Sequence, residues 1–113
     1  MDYEVILKLI KEGEAIVDGS SPENNPDAIR QLKTIADTLL VASQNNGVID
    51  QKCSSMMEFA SIAYAPRRRQ SYSREDAHQF AASDLYTMRI HILQHQHAQV
   101  STRSERPTTK KNR

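Results

Sequence analysis

The sequence predicts an all-α fold, a small bundle of about four helices, on three observations. Apolar residues recur three and four apart through most of the chain. Glycine (3) and proline (4) are scarce and strand-like alternation is absent, which points away from sandwiches and barrels. The stretch from Asn25 to Gly47 carries helix-start and helix-stop residues at its two ends.

The first helix is expected over residues 2–18. Asp2 caps it, Ile6, Leu9, Ile10, Gly13, Ile16 and Val17 form its apolar face, and Glu4 and Lys8 pair four apart in the favoured order. Gly13 lies on the apolar face, where it either admits a neighbouring helix closely or weakens its own. The turn-rich run Gly19-Ser20-Ser21-Pro22-Glu23-Asn24 is long enough to fold the next helix back as an antiparallel hairpin.

The second helix is expected over residues 26–46. Asn25 is an N-cap, Pro26 falls at the first helical position, where a missing N–H costs nothing, and Asp27 meets the positive end of the dipole. Gly47 is expected to close it in the left-handed conformation. The third helix is expected over residues 49–64, with Ile49, Cys53, Met56, Met57, Ala60 and Ala63 at helical spacing and Pro66 ending it. The fourth is expected over residues 74–96. Ala77, Ala81, Leu85, Met88 and Ile92 make one apolar stripe, and Ala82, Tyr86, Ile90 and Leu93 a second. Two apolar faces on the longest helix predict a homodimer, with Tyr86, Ile90 and Leu93 at the partner interface. Residues 1–98 thus read as one α-helical domain, and residues 99–113, polar and rich in Arg and Lys, as a disordered basic tail.

Composition limits the function. No apolar run approaches the roughly 20 residues of a membrane span. Asp2 and Glu4 precede the first basic residue, unlike a secretory signal. The single Cys53 has no internal partner, so a cytoplasmic, reducing compartment is expected. With no Trp, two Phe, no glycine-rich phosphate loop and no nucleophile elbow, neither an enzyme nor a cofactor is expected. His91 and His95, four apart with His97 beyond, are half of a zinc site and a weak metal candidate. The low glycine content and the Arg-, Gln- and Ser-rich second half suggest a phage, plasmid or viral accessory protein.

Charge is unevenly spread. Residues 1–47 hold four cations against eight carboxylates, a net −4, so a total of +1 leaves +5 on residues 48–113. Arg67, Arg68, Arg69 and Arg74 cluster beside Tyr72 where helix 3 turns into helix 4, and Arg103, Arg106, Lys110, Lys111 and Arg113 populate the tail. Arginine forks and free amides at a helix N-terminus favour phosphate, so the leading expectation is nucleic-acid binding through the backbone of RNA or DNA without sequence specificity. The alternative is a protein-binding adaptor or inhibitor that presents the spare apolar face of helix 4, or Met56 and Met57, to a partner.

Overall fold

The computed structural model describes residues 1–67 and 72–105, with side chains as far as Gln99. It contains four helices and, among the described residues, no strand: α1 (Tyr3–Asp18), α2 (Pro26–Ala42), α3 (Gly47–Ala63) and α4 (Arg74–Glu105). α1 packs on α2 and α4, and α3 packs on the same two helices, which closes a ring. Cross-contacts set the directions. Asn25 N–H donates to the Tyr64 carbonyl (3.1 Å), joining the start of α2 to the end of α3. Phe59 meets Phe80, and Lys52 meets Asp84, so α3 and α4 run antiparallel. Tyr3 meets His95 and Val17 meets His78, so α1 and α4 do too. The result is an up-down-up-down four-helix bundle.

Local chemistry explains the starts. The Asp2 carboxylate accepts from Val5 N–H and Asn25 Oδ1 from Ala28 N–H, each occupying an otherwise unpaired first-turn amide. Pro26 stands at the start of α2 as expected. Inside the ring, Ile6, Ile10, Leu32, Leu39, Ile49, Met56, Leu85, Met88 and Ile92 are completely buried. The whole first stripe of α4 is in this core.

The junction between α2 and α3 departs from the sequence expectation. α2 ends at Ala42, four residues early, and Gly47 is the first residue of α3 instead of the stop of α2. The turn is made by Gln44 and Asn45, at φ 56° and 58°, and no glycine has positive φ. Asn45 N–H donates to the Leu40 carbonyl (2.8 Å) and Gln44 N–H to the Val41 carbonyl (3.1 Å). That is the bond pattern with which a left-handed residue closes a helix, here with Gln where glycine is usual. Asn46 then caps α3, its Oδ1 accepting from Val48 and Ile49 N–H. The strain of a left-handed side-chain residue yields a prediction. Gln44→Gly should stabilise the fold by about 1 kcal/mol in urea unfolding. Gly47→Ala should be tolerated, because a Cβ there meets open space. A loss from Gly47→Ala as large as the gain from Gln44→Gly would reverse the assignment.

α4 also differs in length, reaching Glu105 instead of stopping near residue 96. Nothing between 96 and 105 breaks a helix; the first obstacle is Pro107, which disfavours helical backbone just before it. α1 begins opposite His95, so residues 96–105 carry α4 roughly 15 Å past that level. The remainder of the expected tail, residues 106–113, lies outside the described residues.

Candidate nucleic-acid interface

The basic corner is built on the connection between α3 and α4. Tyr64 and Ala65 are buried after the last turn of α3, and Pro66 and Arg67 emerge exposed. Among the described residues no ion pair engages Arg67, whereas Arg30, Lys33, Lys52 and Arg89 each face a carboxylate. Arg68 and Arg69 lie outside the described residues. Arg74 is turned inward: its Nη2 donates to the Ala65 carbonyl (2.8 Å), and its Nε is buried without a partner. It fastens the connection to the first turn of α4, a structural task that its sequence neighbours do not reveal.

The N-terminus of α4 is less open to phosphate than expected. Ser73 Oγ accepts from Asp76 N–H (3.0 Å), and Glu75 and Asp76 already place negative charge in that turn. What the corner does offer is aromatic surface. Phe59, Tyr72 and Phe80 form one cluster, with ring centroids 5.0–5.7 Å apart. Tyr72 is 43% and Phe80 41% exposed. Of these three rings only Tyr72 stood out in the sequence; the phenylalanines sit off the main helical stripes, which is the signal that could have found them.

The second basic group lies at the far end of α4. Arg103 belongs to its last turns, and Arg106, Lys110, Lys111 and Arg113 lie outside the described residues. A helix of 32 residues, about 48 Å, separates the two groups within one chain.

The expected partner face is on the outside of α4. Tyr86 is 53% and Leu93 40% exposed, with Ile90 half-buried between them. The Arg89 guanidinium lies over the Tyr86 ring, 5.0 Å from its centroid, while its Nε donates to Glu14 (3.2 Å). Met56 is completely buried; Met57 helps line an apolar-floored groove of about 770 Å³ between α2 and α3.

His78 and His95 hold structural hydrogen bonds. His78 Nε2 donates to the Val17 carbonyl (2.8 Å), one of the unpaired acceptors at the end of α1. His95 Nδ1 shares a hydrogen bond with the Tyr3 hydroxyl (2.6 Å). His91 and His95 have ring centroids 6.2 Å apart, and His91 Nε2 is buried without a partner. Among the described residues no group of three or more His, Cys, Asp or Glu side chains could hold a metal ion. Asp84, one further carboxylate of α4, turns towards α3 and Lys52 (3.8 Å) instead. Burial raises the Asp84 pKa, opposed by Ser55 and Lys52. Burial likewise pushes the Cys53 thiol to about 11, with Asp50 and Asp37 adding to the shift, which leaves it a packing residue beside Met88.

No known protein family, curated protein or solved structure matches this chain.

His91, half-buried with its Nε2 enclosed, should make stability depend on pH. Burial, and then the neighbouring His95, lowers its pKa below the ordinary value of 6.5. Above that value both folded and unfolded chains carry a neutral imidazole. As pH falls through it, the unfolded chain takes up a proton that the folded chain resists, so stability falls. The melting temperature should drop between pH 7.5 and 5.5, and His91→Gln should flatten that drop. Asp84, with its raised pKa, acts in the opposite sense and is common to both proteins. An equal drop in the variant would mean that His91 contributes nothing to it.

Proposed function

We propose that this protein is a small non-enzymatic accessory protein that binds nucleic acid through its phosphate backbone. The observation that supports this best is Arg67, exposed and without a carboxylate partner among the described residues, at the head of the most arginine-rich segment of the chain. Arg68 and Arg69 follow it in sequence, and the cations from Arg103 onward form the second basic group. Arg74 acts as a brace for the segment. Contacts of this kind carry little sequence information and are strongly salt-dependent. The expected result is oligonucleotide binding that weakens steeply between low and moderate salt. Changing Arg67, Arg68 and Arg69 together to alanine should reduce the salt slope by about 2–3. Affinity that ignores both salt and the triple change would refute the reading.

Homodimerisation through α4 belongs to the same proposal, supported by the exposed Tyr86 and Leu93. The adaptor reading uses the same surface for a different protein. Leu93→Asp discriminates: a dimer that falls to monomer on a sizing column favours self-association, whereas an unchanged mass with a lost partner favours the adaptor.

A further inference from the structure

We infer that the ring cluster of Phe59, Tyr72 and Phe80 is a stacking platform for unpaired nucleobases, so that the preferred ligand is single-stranded nucleic acid and not a duplex. This rests on the proposed nucleic-acid function and specifies its substrate.

The rings come from three separate places, α3, the connection and α4, and meet at one surface. Phe59, half-buried, lies beneath; its centroid is 5.0 Å from Phe80 and 5.5 Å from Tyr72. Tyr72 stands edge-on to both phenylalanines, at interplanar angles of 80° and 82°. Edge-to-face packing of this kind is favourable and holds Tyr72 against the two phenylalanines without any ligand. Yet Tyr72 and Phe80 each leave about two-fifths of their surface in water.

The surroundings argue for a base as the occupant. The exposed Arg67 lies on the same connection as Tyr72 and supplies a phosphate contact. Asp76 stands four residues before Phe80, on the same helix face, and is exposed. A carboxylate there repels phosphate, but it accepts hydrogen bonds from exocyclic amino groups of bases. The two together orient a strand with phosphates towards Arg67 and bases towards the rings. In a duplex the base faces are already stacked on one another, so the rings would gain only from edges. An unpaired base presents its whole face, and stacking on an aromatic side chain tolerates any sequence.

The test uses the full chain and three fluorescent oligonucleotides: a single strand, the same strand in a duplex, and an abasic single strand with the same phosphates. The single strand should bind at least tenfold more tightly than the abasic strand, and more tightly than the duplex. Phe80→Ala and Tyr72→Ala should each weaken single-strand binding by roughly 5- to 150-fold and leave abasic binding unchanged. Each ring is more than half buried in the cluster, so melting curves of the variants should show a modest loss of stability, and unchanged binding of the abasic strand separates lost stacking from a lost fold. The chain has no Trp, so Phe80→Trp installs a unique reporter. Its fluorescence should be quenched by the single strand and not by the abasic one. Equal affinity for the abasic strand, or binding indifferent to both ring substitutions, overturns the platform while leaving phosphate binding intact. Failure to bind any of the three overturns the platform and the nucleic-acid function together.

Discussion

Replacing Tyr64 by alanine is expected to remove about 3–5 kcal/mol of stability, the usual range for emptying a buried aromatic site. Tyr64 is completely buried and heads the fully buried side chains by volume. Ends of all four helices meet around it. Its hydroxyl shares a 2.6 Å hydrogen bond with Ser20 Oγ, just past α1. Its carbonyl accepts from Asn25 N–H, just before α2, and its own N–H donates to Ala60 in α3. The His78 ring of α4 packs edge-on against it, at 5.9 Å. Truncation therefore leaves a cavity where the connection α1–α2 meets the end of α3. Tyr64→Phe should cost far less, about 0.5–1.5 kcal/mol, because only one hydrogen bond is lost and Ser20 keeps its bonds to the Ile16 and Val17 carbonyls. Urea unfolding followed by circular dichroism would measure both. An alanine variant within 1 kcal/mol of the parent would show that the site closes over the gap.

That residue also shows where sequence reasoning stops. Periodicity placed the buried stripes of α1 and α4 correctly because an amphipathic helix repeats its environment every three to four residues. Tyr64 stands four residues after Ala60, so the helical period of the third helix reaches it, but no local signal shows that it closes α3 and gathers the ends of the other helices. The Asn25-Pro26 start was legible because a cap acts through its own side chain. The end of α2 was not, because Asn45-Asn46-Gly47 supports either a stop at Gly47 or a start from Asn46. The structure takes the second, with Asn46 capping α3 and Gln44 left-handed. The length of α4 was missed for a related reason: polar residues fit a helix as well as a tail, and composition alone does not choose. At the candidate interface, residue type identified Arg67 and Tyr72, but only tertiary structure separates the exposed Arg67 from the inward Arg74, or brings Phe59 and Phe80 to Tyr72.

The second large effect is expected at the contact of α1 with α4, and it is non-additive. Leu85→Ala should cost about 2–5 kcal/mol, since Leu85 is completely buried in the middle of the ring. Gly13 faces it. A Cβ placed on Gly13 would lie 2.9 Å from Leu85 Cδ2, 3.5 Å from Cδ1 and 3.8 Å from Ile35 Cγ2. What disfavours a larger residue here is thus the proximity of a neighbour's side chain, not backbone conformation, as the φ of Gly13 is not positive. In the parent, Gly13→Ala gains about 1 kcal/mol of helix propensity but forces Leu85 to move within a packed core. The two effects oppose, and the net change should be small. Once Leu85 is alanine the obstacle is gone. The same Gly13→Ala then keeps its propensity gain and places a methyl group in the void, so it should stabilise by 1 kcal/mol or more. Gly13→Leu, by contrast, should destabilise the parent severely, because four extra carbons cannot be absorbed by shifting one side chain. A double-mutant cycle over Gly13 and Leu85 isolates the coupling, and strict additivity would mean that α1 and α4 do not meet closely at this point.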